Sequence, residues 1–258
     1  METVSYERSD SIARICLRGG ARGNPLDQAT VDALAHSVRR ARADQAHVVV
    51  LSSAGPAFSF GGDVSAIAAA EDTEQTVEDL AESLHRIVSD LHRMDAIVVS
   101  VVRGTAAGAG VPLAAAADLV LAGSSARFVL AYTNIGFSPD GGSSLLTASI
   151  GLHRALHLTL LNPVLSAAEA LSMGLVTQVH PDEQLDSAAE EVVRLLRAGS
   201  RTAQVASKRL LREAATPGAE AALRRETLSV RARAASLDGR EGVAAFLAKR
   251  APDFPSSR

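Results

Sequence analysis

Residues able to do chemistry gather in this 258-residue chain around two glycine-rich turns and one acidic loop. The first turn, Ala57-Phe58-Ser59-Phe60-Gly61-Gly62-Asp63-Val64, follows the apolar run Val48-Val49-Val50-Leu51 and a Gly55-Pro56 turn. The second, Gly104-Thr105-Ala106-Ala107-Gly108-Ala109-Gly110-Val111-Pro112-Leu113, follows Ile97-Val98-Val99 and leads into an alanine-rich helix with Asp118 behind it. Glycine permits backbone conformations closed to other residues and lets a ligand approach the main chain. A helix starting at such a turn points unpaired N–H groups, with the positive end of its dipole, into the space ahead. One N–H from each turn could hold the same carbonyl oxygen, and preorganised donors of this kind stabilise an oxyanion. Read singly, each turn is also an ordinary strand-to-helix connection. The acidic loop is Ser138-Pro139-Asp140-Gly141-Gly142. Partial burial beside Phe137 would raise the Asp140 pKa towards the range useful for moving protons. The competing use of Asp140 is as an N-cap of the following helix, which would hold it as the anion.

Familiar loops do not fit the second turn. A dinucleotide fingerprint would need a third glycine where Leu113 stands, and a phosphate loop would need Gly-Lys-Ser/Thr where Gly110-Val111-Pro112 stands. No G-x-S-x-G nucleophile elbow occurs there.

The elements that must position these residues follow from periodicity. Residues 1–20 read as two short strands, and Asp27 caps a helix whose apolar face is Val31, Leu34, Ala35 and Val38. Strands are expected at 48–52, 97–102 and 119–122, with an amphipathic helix at 75–93 in which His85 and His92 read as surface residues. Helices are expected at 142–150, 152–161 and 166–173, a strand at 176–180, and helix throughout from about 182 apart from a break at Pro217-Gly218. This alternation points to an α/β fold with crossovers. The expected division is a core over residues 1–199 and a helical C-terminal region over 200–258.

Several stretches together resemble the crotonase (enoyl-CoA hydratase/isomerase) superfamily. Phe58-Ser59-Phe60-Gly61-Gly62-Asp63 and Ala106-Ala107-Gly108-Ala109-Gly110 with Asp118 are similar to two of its signatures. Asn24-Pro25-Leu26-Asp27, Ile135-Gly136-Phe137-Ser138-Pro139-Asp140-Gly141-Gly142, Ser166 to Val176 and Glu241 to Pro252 extend the resemblance, in order, along nearly the whole chain. The resemblance implies a spiral of β-β-α turns capped by a helical tail that makes oligomer contacts, in a homotrimer or dimer of trimers. It implies an acyl-CoA thioester as substrate, with no cofactor besides the coenzyme A that the substrate carries. It places the oxyanion-hole amides at Gly62 and Ala109. Phe60, Val64, Tyr132 and Phe137 become candidate substrate contacts. Phe246 and Lys249 resemble the family's C-terminal contact to the adenine and phosphate end of the coenzyme.

Departures from the family pattern narrow the chemistry. The two glutamates of family hydratases correspond to Pro112 and Tyr132. Water addition needs one group to activate water and one to protonate the α-carbon. Proline does neither, tyrosine with a reference pKa of about 10 is a poor base at neutral pH, and Pro112 suits the first turn of a helix. Some family members that shift double bonds have an acid at the position of Asp140, and one carboxylate suffices to take a proton from one carbon and return it further along. The sequence therefore favours an isomerase using Asp140, Gly62 and Ala109. A hydratase-like lyase with a different acid, or an acyl-CoA-binding protein without turnover, are the alternatives.

Composition sets the outer bounds. A formal net charge of −3 provides no basic stripe for nucleic acid. The single cysteine, Cys16, excludes an internal disulfide. The start of the chain lacks a signal-peptide pattern, and no uncharged apolar run reaches membrane-spanning length, so a cytoplasmic protein without a membrane partner is expected. His153 and His157 have metal-compatible spacing, but no third ligand accompanies them and no metal is expected. Asp63 and Asp118 read as structural caps of nearby backbone amides.

Overall fold

A computed structural model describes residues 2–257. Two sheets carry the fold. The larger has the order β1-β2-β3-β5-β7-β10, built from Val4–Ser9, Ile12–Leu17, Val48–Ser53, Ile97–Val102, Leu119–Gly123 and Gln178–His180. Only β1 and β2 pair antiparallel; every other neighbour is parallel. The smaller sheet has the order β4-β6-β8-β9, from Ala57–Ser59, Thr105–Ala107, Arg127–Val129 and Leu165–Ser166.

Three long strands of the first sheet are each followed by a short strand of the second, β3 by β4, β5 by β6 and β7 by β8. The chain winds as a spiral of β-β-α turns, the expected architecture. Three of the short strands fall within or beside stretches that the sequence reads only as turns or loop, because three residues are too few to show a period of two.

Parallel strands covered on both faces read as continuous apolar runs, and β5 is buried at all six positions. Val49, Leu51, Val98 and Val102 face the main core with α1 (Gln28–Ala43) and α3 (Thr73–Arg93). Val48, Val50, Val99 and Val101 face the opposite way, against Leu185, Ala189, Val192 and Val193 of α8 (Leu185–Ala198). The spacing of those four residues is one stripe of a helix.

Asp27 caps α1 by accepting from the Thr30 amide at 2.8 Å. The helix expected at 142–150 begins as a 3-10 turn over Ser143–Leu145, continuing as α5 (Leu146–Ile150). Tyr132 is not a strand residue: it opens a 3-10 turn over Thr133–Ile135, after Ala131 turns the chain with φ +59°.

After Gly199-Ser200, α9 (Arg201–Ala215), α10 (Ala219–Ala234) and α11 (Leu237–Leu247) complete the chain. Lys208 of α9 is buried, donates to the Leu91 and Ala96 carbonyls and pairs with Asp118 at 2.8 Å. Asp118 also receives Arg212 at 2.9 Å and the Val98 amide at 2.8 Å, so one carboxylate ties α9 to the edge of β5. The buried stripe of α10, Leu223, Glu226, Thr227, Val230 and Ala234, lies along α3.

Candidate active site

The two glycine-rich turns meet. Gly61 has φ +81°, and a Cβ there would stand 2.8 Å from the Ala107 carbonyl oxygen and 3.0 Å from the Ala109 nitrogen, so only glycine lets the turns close on each other. Asn24 secures the first turn by donating to the carbonyls of Ala57 and Phe58, and the Leu26 amide donates to the Gly61 carbonyl at 2.8 Å. The second turn enters α4 (Gly110–Ala115), whose buried Pro112 occupies the first turn.

A cavity of about 60 Å³ opens where the turns meet. Gly62, Ala109, Tyr132, Phe137 and Asp140 line it, and Ile67, Val77, Leu84 and Val230 are among its apolar walls. Among the described residues, the Gly62 and Ala109 amides donate to no protein acceptor. Amides that donate to no acceptor are uncommon inside a protein, and both of these line the same cavity. Phe60 and Val64 are not walls of this cavity: Phe60 is half exposed, with its ring over Gly23. Phe246 and Lys249 are exposed near the end of α11.

Asp140 is the one carboxylate on the cavity wall. It is 8% exposed and does not cap the following turn. That task falls to Glu226 of α10, whose two oxygens accept from the Gly142 and Ser144 amides at 2.8 and 2.7 Å. Gly142 adopts φ +95°, and a Cβ there would come within 3.2 Å of Val88, so glycine lets the loop turn its amide to Glu226. The Asp140 side chain instead pairs with His85, Nε2 to Oδ1, at 2.9 Å. His85 Nε2 lies 3.4 Å from Glu226, and Nδ1 meets the Thr227 hydroxyl at 3.0 Å.

His85 is therefore not on the helix surface but buried between two carboxylates. Burial alone would push its pKa down; hydrogen bonds and charge from Asp140 and Glu226 outweigh this and raise it to about 9. The ring is a cation at neutral pH. His92 is half-buried, and burial, with Arg212 and Lys208 next in effect, lowers its pKa to about 3. Tyr132 donates to the Asp140 carbonyl at 3.0 Å, and burial raises its pKa well above 10, which removes it as a base.

Sequence reasoning misses His85, Glu226 and Thr227. The signal was their position: each stands on the apolar stripe of its helix, where a solvated residue does not belong. His85, Asp140 and Glu226 bring donor atoms within 4.8 Å of one another, as a metal site could. Both Glu226 oxygens already accept amides, however, and His85 Nε2 is paired with Asp140, so the arrangement fits an ion-paired network better. His153 and His157 are exposed and belong to no such group. Asp63 accepts the Ser65 and Ala66 amides, as expected of a cap.

The family model described as enoyl-CoA hydratase/isomerase matches residues 7–257. The chain belongs to that family. Enoyl-CoA hydratase/isomerase family proteins act on acyl-CoA thioesters. Within the family it is 36% identical over 218 residues to 1,2-epoxyphenylacetyl-CoA isomerase of Escherichia coli, covering 83% of this chain and 82% of that protein. It is 33% identical over 214 residues to trans-2-decenoyl-(acyl-carrier-protein) isomerase of Streptococcus mutans, covering 82% and 81%. The crystal structure of an enoyl-CoA hydratase from Mycobacterium avium subsp. paratuberculosis K-10 superposes with TM-score 0.89 at 32% identity, covering 98% of both chains. Both isomerases and hydratases thus stand among the relatives of this family member. Among the described residues no helix is long and apolar enough to cross a membrane.

Proposed function

We propose that this protein shifts the double bond of an enoyl-CoA, with Asp140 carrying the proton. The supporting observation is that Asp140 is the one carboxylate lining the cavity that also holds the Gly62 and Ala109 amides. The thioester oxygen sits on those two amides. Asp140 takes a proton from a carbon activated by the thioester, and the electron pair moves through the dienolate onto the oxygen. The amides stabilise that oxyanion by roughly 3–4 kcal/mol each. The same carboxyl returns a proton two carbons along, and the oxygen gives its charge back. Hydration would need a second acid or base, and Pro112 and Tyr132 supply none. Phe137 and Tyr132 bound the acyl end. Phe60, Val64, Phe246 and Lys249 are left for the coenzyme end.

The test is Asp140→Asn. Conversion of a 3-enoyl-CoA to the 2-enoyl-CoA should fall by about 10²–10⁴-fold, while calorimetric affinity for the substrate stays within a few-fold. Unchanged turnover would remove Asp140 from the mechanism, and hydration of crotonyl-CoA surviving the substitution would favour a lyase. The exposed leucines 152, 156, 160 and 161 of α6 (Leu152–Leu161) suit subunit contacts in a trimer or dimer of trimers. Light scattering at micromolar concentration distinguishes these assemblies from a monomer.

A further inference from the structure

The cavity between the glycine turns is small and walled on one side by packed side chains. Of the residues that line it, Gly62, Leu80 and Tyr132 are partly exposed, whereas Val77 and Ala81 of α3, Phe137, and Val230 of α10 are at most 5% exposed. Protein, not solvent, therefore stands behind those four. They belong to an apolar cluster separate from the main core, which also contains Ala234 and Val243, neither of which lines the cavity. Two helix stripes meet in this wall. On α3, Val77, Ala81 and Leu84 follow the spacing of one helix face, and on α10 Glu226, Val230 and Ala234 are each one turn apart. The face of α10 that sends Glu226 to the Gly142 and Ser144 amides thus also sends Val230 to the cavity.

We propose that this protein selects a short acyl chain and that Val77, Ala81 and Val230 set its length. The proposal rests on the reading that the thioester oxygen lies on the Gly62 and Ala109 amides. An apolar cavity of about 150 Å³ holds one benzene ring. At that ratio, roughly 25 Å³ per carbon, the space of about 60 Å³ here takes about two or three carbons. With the carbonyl and α-carbon held at the amides, the whole acyl group is about four or five carbons long. A longer chain would have to displace side chains that are packed inside a buried cluster, and close-packed interiors do not admit extra methylenes without strain. Val230 is the adjustable part of the wall. Ala234 and Val243 share its cluster, so removing its two methyl groups extends the cavity among apolar neighbours, where a hydrocarbon chain is accommodated.

Chain length is read in two ways. The first is kcat/KM for conversion of 3-pentenoyl-CoA and 3-octenoyl-CoA to their 2-enoyl isomers; the second is calorimetric affinity for pentanoyl-CoA and octanoyl-CoA, which requires no chemistry. The wild type should favour the five-carbon ester by about tenfold or more in both, since one misfitting methylene in an apolar pocket is worth about 10–200-fold. Val230→Ala and Val77→Ala should each narrow that preference by about tenfold, and Ala81→Val should widen it. Val243→Ala removes the same two methyl groups from the same cluster without touching the cavity wall. It should lower the unfolding midpoint and leave the preference within about twofold. Val77 and Val230 lie on different helices, so if one variant fails to fold the other decides. Equal use of both chain lengths by the wild type, an unchanged preference in the wall variants, or the same shift in Val243→Ala overturns the proposal. Absence of turnover with either 3-enoyl ester, while calorimetry keeps the five-carbon preference, overturns the isomerase reading and upholds the wall.

Discussion

His85 and His92 stand seven residues apart on α3, and their surroundings drive them to opposite charge states. The His85 pKa is raised to about 9, so its contribution to stability is complete below the unfolded value near 6.5 and is lost as pH rises through 9. That loss is on the order of 3 kcal/mol. The His92 pKa is lowered to about 3, so it is neutral in the fold, and its contribution is lost as pH falls below 6.5. Urea unfolding between pH 5 and 10 should show a maximum near pH 6.5–7, with an alkaline limb that His85→Gln flattens. An alkaline limb identical in that variant would show that His85 carries no charge in the fold. Glu226 is the second test at this scale. Glu226→Ala leaves two buried amides and the imidazolium without their partner, and should cost about 3–5 kcal/mol. Glu226→Gln keeps one acceptor and should cost less; thermal melts compare the two.

Much of the element layout is legible in the chain, and what is missed has a physical reason. Strands β3 and β5 announce themselves as β-branched runs, Asp27 as a cap, and the glycine turns by composition. Asp140 is legible as the acid of the loop, yet its freedom from capping duty is not, since the substitute cap is on α10. Periodicity reports which face a helix buries, not what stands opposite. The stripe Val77, Ala81, Leu84, His85, Val88 and Leu91 was therefore complete in the sequence, while the facing stripe with Glu226 lay far along the chain. The α9 anchor follows the same logic. Lys208→Met would strip the Leu91 and Ala96 carbonyls and Asp118 of a buried donor. A loss of about 3–5 kcal/mol is expected from denaturant midpoints, with β5 amides near Val98 losing hydrogen-exchange protection first.

At the scale of the whole molecule, the candidate site is assembled from parts that are distant in the chain. The spiral provides the Gly62 and Ala109 amides, Asp140 and His85, and the C-terminal α10 adds Glu226 beside them. The Pro217-Gly218 break just ahead of α10 is exposed. A ribosome finishes both glycine turns and Asp140 well before it reaches α10, so an emerging chain carries its acid without Glu226 beside it and without the Val230 wall of the cavity. The cavity is closed only with the last quarter of translation, and a single protease cut at that exposed break, followed by departure of the fragment, would open it again.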